Sequence, residues 1–298
     1  MKILITGSNG LLGQKLVKLI TEQSKHELIA TSREHNRLPE ESGYIFESLD
    51  ITNEQQVLNI VEKHQPDVII NTAAMTNVDQ CETEQEDCWK LNVTAIEHLI
   101  KASEKHHAFL LQLSTDFIFD GKDGPYDETA IANPISFYGE SKLAAEQLIL
   151  ESTIDWAIAR TVLVYGIAHD MSRSNIILWV KKSLEESKDI QVVNDQWRTP
   201  TLAEDLAVGC LLIAEKKAQG IYNISGDDLL TPYEMAVKTA EAFNLSQSTM
   251  SKSDSTKFKQ TAKRPPKTGF ILDKAKKELG YKPHSFEEGI AVLAEQIK

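Results

Sequence analysis

The chain has little that would staple, bridge or anchor it. Its 298 residues include three cysteines, Cys81, Cys88 and Cys210. The number is odd and no CxxC pair occurs, which excludes a disulfide framework or a structural zinc site and fits a reducing compartment. Long apolar runs are missing: a stretch such as 209–214 falls far short of the ~20 residues of a membrane-spanning helix. Residues 1–6 enter a β-branched segment rather than an apolar targeting stretch, so a soluble, cytoplasmic protein is expected. Positive charge is in deficit, with 32 Lys and Arg against 44 Asp and Glu and a net charge of −12. A field of that sign repels nucleic-acid phosphates. What is present is an ordinary globular composition, 41% hydrophobic and 26% charged, at a length of about two domains.

Strand and helix signals alternate. The run Lys2-Ile3-Leu4-Ile5-Thr6 reads as a buried parallel strand, and Leu12, Leu16, Leu19 and Ile20 recur at helical spacing after it. Further strands are expected at 27–31, 44–49, 67–71, 108–113 and 156–160, with helices at 54–63, 84–106 and 137–151. This rhythm predicts an α/β fold with a Rossmann-like, doubly wound parallel sheet. The sheet should occupy residues 1–163 plus a returning segment at about 189–225. A smaller C-terminal α/β lobe is expected from about 164–188 and 226–298, and the Ser-, Lys- and Pro-rich stretch 246–268 is expected as a long loop or partly ordered segment.

Ligands of such sheets bind beyond the carboxyl ends of the strands. Gly7, Gly10 and Gly13 follow the first strand and open a helix, where backbone N–H groups can approach a pyrophosphate; an ordinary tight turn is the alternative. After Thr31-Ser32 comes Arg33, where an NAD-selective site would carry an acid. A guanidinium there suits a 2′-phosphate and favours NADP over NAD, the alternative being a solvated loop with His35 and Arg37. Tyr138 and Lys142 stand at i and i+4 on one helical face, so the ammonium should lower the phenol pKa and make Tyr138 a general acid. Thr115, at the end of the fifth strand, offers a hydroxyl to a carbonyl. Each signal alone has a bland reading, as a turn, a cap or a surface helix; together they describe a hydride-transfer site. Cys81 and Cys88 read as partly buried thiols without a positive neighbour in sequence.

This combination resembles the extended short-chain dehydrogenase/reductase superfamily and, within it, the dTDP-4-dehydrorhamnose reductase family. The resemblance runs through Asn71-Thr72-Ala73-Ala74-Met75-Thr76-Asn77-Val78-Asp79, Ser114-Thr115-Asp116-Phe117-Ile118-Phe119-Asp120-Gly121, Tyr138-Gly139-Glu140-Ser141-Lys142-Leu143-Ala144-Ala145-Glu146 and Arg264-Pro265. It implies reduction of a nucleotide-linked 4-keto-deoxysugar, dTDP-4-dehydrorhamnose, by NADPH, with Thr115, Tyr138 and Lys142 as the catalytic set. Cofactor residues implied are Gly7, Asn9, Gly10, Leu11 and Gly13 at the pyrophosphate, Ser32 and Arg33 at the ribose phosphate, and Asp50 and Ile51 at the adenine. Ala73, Ala74 and Thr76 would lie beneath the ribose, Asn92 would support the site, and Tyr138 and Lys142 would also meet the cofactor. Substrate contacts are expected from Thr115, Asp116, Phe117, Leu163, Trp197 and Arg264. No metal is expected in the catalytic site itself; some relatives join subunits through magnesium on acidic side chains, which makes 82–87 the candidate stretch and a homodimer an expectation.

Two segments depart from the reductase pattern. Where the family usually has Trp after Arg-Thr, this chain reads Arg160-Thr161-Val162-Leu163, and the Asp-Gln-Phe-Gly-x-Pro-Thr motif becomes Asp195-Gln196-Trp197-Arg198-Thr199-Pro200-Thr201. Both changes also resemble the NADP-binding regulatory β subunits of methionine adenosyltransferase. A partner-binding subunit therefore stays open as an alternative, as does a nucleotide-sugar epimerase or dehydratase that uses bound NAD. The charge is uneven: 252–282 holds ten Lys or Arg and three Asp or Glu, including Lys257, Lys263, Arg264 and Lys267. This marks the second lobe as the place where a small phosphate ligand would be met; a solvated basic face is the alternative.

Overall fold

A computed structural model describes residues 1–23, 25–39, 42–170, 174–258 and 260–297. Residues 171–173 of the expected second lobe and Lys259 of the basic stretch lie outside the described residues. The first half alternates strand and helix: β1 (Lys2–Thr6), α1 (Leu11–Gln23), β2 (Glu27–Ser32), β3 (Ile45–Ser48), α2 (Glu54–His64) and β4 (Val68–Asn71). It continues with α3 (Val78–Thr83), α4 (Gln85–Trp89), α5 (Ala95–His106), β5 (Phe109–Thr115), α6 (Phe137–Leu150) and β6 (Trp156–Thr161). Then come β7 (Val164–Tyr165), α7 (Ile176–Glu185), β8 (Ile190–Val193), β9 (Thr201–Leu202), α8 (Ala203–Lys216), β10 (Gly220–Asn223), α9 (Pro232–Ala242), β11 (Met250–Ser253) and α10 (Phe286–Ile297).

Seven strands form one parallel sheet in the order β10-β6-β5-β4-β1-β2-β3. Both faces are covered, because successive side chains point to opposite sides. Ile3 and Ile5 of β1 join Leu16, Val17 and Ile20 of α1 and Leu206 to Ala214 of α8 on one face. Leu4 and Ile69 join Val57 and Val61 of α2, Leu99 of α5 and Ile149 of α6 on the other. The chain order reverses between β1 and β4, and the crevice of a doubly wound sheet opens at such a switch point. No helix among the described residues is long and apolar enough to cross a membrane.

The structure revises several sequence expectations. The expected helix 84–106 is interrupted by a π-helical turn, Lys90–Thr94, and a second π turn forms at Ala275–Leu279. The stretch 246–268 is not all loop: β11 lies within it and pairs in parallel with β8. Consequently 190–193 does not return to the large sheet. Ile190 and Val192 pack with Val180, Leu184, Ala236, Ala240 and Met250 in a separate hydrophobic core. Conversely, Phe270, Leu272, Ala275, Leu279 and Tyr281, expected in the second lobe, are buried against the large sheet.

Candidate active site

The glycine turn is built by close approach. Gly10 N–H donates to the Gly7 carbonyl at 2.9 Å, and α1 begins one residue later, at Leu11. A Cβ on Gly13 would stand 2.3 Å from the Gly7 oxygen and 2.6 Å from Ser8 Cα, so only glycine lets the helix meet the turn. A Cβ on Gly7 would press on the backbone N of Ala73, which places the segment after β4 beside the turn after β1. The Ser8 hydroxyl is buried here without a partner. A helix N-terminus and an orphan hydroxyl suit a pyrophosphate. Asn9 spends its side chain on the β2 side, donating to Ser32 Oγ at 2.7 Å and the His35 carbonyl at 2.8 Å and accepting Arg37 N–H. It shapes the 32–37 loop, and its amide is not aimed at the turn. Arg33 is exposed at that loop, whereas Arg37 pairs with Glu34. Asp50 Oδ1 accepts both the N–H and the hydroxyl of Thr52, and the Ile51 carbonyl bonds His98 at 3.0 Å.

Beyond β4, Ala73 and Ala74 are half-buried and Thr76 is exposed, in a segment that is held from behind. Asn92, on the π turn, accepts Met75 N–H at 2.8 Å and donates to the Met75 carbonyl at 3.1 Å and to Ser141 Oγ at 3.0 Å. Asn92 is buried, so it supports the segment and does not itself line the crevice. The i→i+5 turn that breaks the expected helix is what brings this amide against α6.

Ser136 caps α6, its hydroxyl accepting Gly139 N–H at 3.2 Å. Gly139 lets the helix abut the turn after β5, since a Cβ there would stand 2.2 Å from the Phe117 carbonyl. That contact brings the Tyr138 phenol beside Thr115. Lys142 Nζ donates to the Leu113 carbonyl at 2.7 Å. The same carbonyl accepts Gln112, which receives Asn71, whose Oδ1 in turn accepts Thr6, so the lysine is anchored to β5, β4 and β1. Burial lowers the Lys142 ammonium to about 8, opposed by the charge of Glu146. Glu146 makes a two-point, buried ion pair with Arg160, at 3.0 and 2.6 Å. The expected lowering of Tyr138 does not occur. Burial raises the phenol well above its ordinary value, with Asp116 adding to the rise, because desolvation dominates.

Cys81 and Cys88 pack directly against Tyr138. Cys88 is lowered to about 7, chiefly by the Cys81 thiol and further by Ser141 and Lys142. The positive neighbour absent from the local sequence arrives from α6.

On the substrate side, Phe117 meets Tyr138 edge-on with centroids 5.8 Å apart, and Leu163 (φ +35°) and Trp197 are exposed. Asp116, expected to touch substrate, is 1% exposed and its carboxylate is taken up by Thr115, Thr268 and Arg198. Arg264 is not a free cation: it holds Asp79. Glu82, expected within a bridging magnesium site, accepts Phe137 N–H at 2.8 Å. No group of three or more His, Cys, Asp or Glu among the described residues is placed to hold a metal. Sequence reasoning missed Glu146, Arg198 and Thr268; Arg198 alone carried a signal, replacing the glycine of a motif.

Comparison with known proteins is consistent with this geometry. The family model described as RmlD substrate binding domain matches residues 1–298. A Methionine adenosyltransferase 2 subunit beta from Xenopus laevis is 36% identical over 253 residues, 83% of this chain and 73% of that one. A dTDP-4-dehydrorhamnose reductase from Aggregatibacter actinomycetemcomitans is 31% identical over 302 residues, 97% of each. Among solved structures, a dTDP-4-dehydrorhamnose reductase from Clostridium acetobutylicum superposes with a TM-score of 0.87 at 28% identity, covering 100% of this chain and 99% of that one. The Bacillus anthracis dTDP-4-dehydrorhamnose reductase in complex with NADP gives 0.84 at 29%, covering 99% of each.

Proposed function

Because the chain belongs to the RmlD substrate binding domain family, we propose that it is an NADPH-dependent reductase that converts the 4-keto group of a nucleotide-linked deoxysugar, dTDP-4-dehydrorhamnose, to an alcohol. The observation that carries this reading is the meeting of Thr115, Tyr138 and Lys142 at the carboxyl end of β5, with Tyr138 beside Thr115 and Lys142 anchored on the Leu113 carbonyl. NADPH, when bound, supplies the hydride. The turn 7–13 would hold its pyrophosphate, Asp50 and Ile51 its adenine, Ser32 and Arg33 its ribose phosphate, and Ala73, Ala74 and Thr76 would lie beneath its ribose.

Tyr138 keeps its proton at neutral pH and delivers it to the carbonyl oxygen as negative charge develops there. Thr115 orients that oxygen. Lys142 supplies the ammonium available to the cofactor ribose, and Phe117, Leu163 and Trp197 offer apolar surface to the sugar. The test is consumption of NADPH absorbance with dTDP-4-keto sugars. Tyr138→Phe is expected to lose roughly 10²–10⁴ in rate, and turnover equal to the parent would sink the assignment.

A second reading is favoured by one observation. The family's usual Trp after Arg-Thr is Val162 here, and the methionine adenosyltransferase β relatives reach 36% identity. In that reading the same residues bind NADP and the chain serves as a partner subunit. Absence of turnover together with co-purification of a methionine adenosyltransferase would favour it.

A further inference from the structure

We propose that Asp116, Arg198 and Thr268 form a positioning device that sets where the Thr115 hydroxyl proton points, and so makes that donor depend on the docking of the second-lobe segment 264–268. The proposal rests on the reductase reading of the site for its catalytic consequence. Asp116 sits in the single turn that follows β5, and three segments converge on its carboxylate. Oδ1 accepts the Thr115 hydroxyl at 3.1 Å. Oδ2 accepts the Thr268 hydroxyl and faces Arg198 Nε at 3.8 Å. Arg198 is itself buried and grips the same segment, donating to the Pro265 carbonyl at 2.7 Å, with its guanidinium over the Phe117 ring. Thr268 N–H donates to the Trp197 carbonyl at 3.0 Å, and Trp197 N–H to the Pro266 carbonyl at 2.9 Å.

A hydroxyl has one proton and two lone pairs. The Thr115 proton is directed to Asp116, and its oxygen accepts Phe117 N–H at 3.3 Å. The Tyr138 phenol lies beside the same hydroxyl. Thr115 can turn its proton to a substrate carbonyl only by releasing Asp116, and a buried carboxylate deprived of a partner is costly. Thr268 and Arg198 make the release tolerable, because both remain on the carboxylate when Thr115 leaves. Burial raises the Asp116 pKa while Arg198 and Thr268 oppose the rise, as partners that sustain its charge should. Removing the Thr268 hydroxyl leaves Asp116 more dependent on Thr115 and holds the Thr115 proton away from substrate.

The test uses the full-length protein with Thr268→Val, Thr268→Ser and Thr115→Val. Thr268→Val should lower kcat about tenfold, a cost in the range expected for a displaced catalytic donor, with the sugar KM changed less than twofold. Thr268→Ser, which keeps the hydroxyl, should restore the parent rate. In the Thr115→Val background, Thr268→Val should have no further effect on kcat. A second arm needs no substrate: in [¹³Cζ]tyrosine-labelled protein, the Tyr138 resonance, assigned by its loss in Tyr138→Phe, should shift in Thr268→Val and not in Thr268→Ser. Parent-like kcat in Thr268→Val, or a loss that persists in the Thr115→Val background, overturns the proposal. Should the parent reduce no keto sugar, the reductase reading fails and the resonance alone decides: a shift supports the coupling and an unmoved signal overturns it.

Discussion

Arg264 and Asp79, 185 residues apart in sequence, grip each other at two points, Nη2 to Oδ2 at 2.6 Å and Nη1 to Oδ1 at 3.2 Å. Ala262 N–H adds a third contact to the same carboxylate at 2.9 Å. The cation expected to greet a pyrophosphate thus ties the second-lobe segment to α3, next to Cys81. If it acts by placing that segment, Asp79→Ala and Arg264→Ala should raise the nucleotide-sugar KM alike, by about fivefold, and a double-mutant cycle in denaturation should return a coupling of about 1 kcal/mol. A rise confined to Arg264→Ala would assign the guanidinium to the substrate directly.

If Lys142 acts in the reaction as proposed, its ammonium, lowered to about 8, and not Tyr138, should set the alkaline limit of activity. The profile of kcat/KM for NADPH against pH should fall through about 8, since this quantity titrates the free enzyme. Glu146→Gln removes a charge that holds the ammonium protonated and should move the fall to lower pH. The linkage to stability has the opposite sign. The folded value lies below the 10.5 of the unfolded lysine, so between about 8 and 10.5 the unfolded chain binds more protons. In that window this group's contribution to stability grows as pH rises. A profile flat through pH 9 would contradict the assignment.

Arg33 stands exposed beside the Ser32–Asn9 bond. Arg33→Ala should reduce the preference for NADPH over NADH at least tenfold, the order of one lost charge-assisted contact, with kcat at saturating NADPH retained. Full retention of the NADPH preference would remove Arg33 from the cofactor site.

Gly13→Ala places a methyl 2.3 Å from the Gly7 carbonyl, where backbone must move. The expected result is a loss of about 1–3 kcal/mol in stability, as in overpacked cores, together with loss of NADPH binding by fluorescence titration. Gly280→Ala is the control for a glycine with nothing within 4 Å, although its φ of +76° adds local strain; NADPH affinity should be unchanged in it.

What could be read without tertiary structure was local. The β1–turn–α1 unit shows in a β-branched run, three glycines and a 3.6-residue apolar period; the i and i+4 spacing puts Tyr138 and Lys142 on one face of α6; and the strand and helix rhythm predicts the parallel sheet. Each pattern spans a few residues, and backbone geometry turns it into structure directly. The destination of β8 was not readable in this way, since Ile190 and Val192 would look the same in either sheet and only the approach of β11 decides between them. The same holds for the carboxylate of Asp116, which the sequence left facing substrate and the fold buried under Thr268, 152 residues away. The Tyr138 value reversed its expected direction, and Cys88 gained a positive neighbour that its local sequence lacks, for a related reason. A pKa answers to solvent and charge in space, and burial of the phenol, with Lys142 and Cys81 brought against Cys88, exists only once the chain has closed. The sequence determined the sheet, the turn and the pairing of Tyr138 with Lys142 on one helical face because those follow from short-range stereochemistry. Tertiary structure decided which side chains are free to meet a ligand and which are spent holding others, because that depends on contacts between segments far apart along the chain.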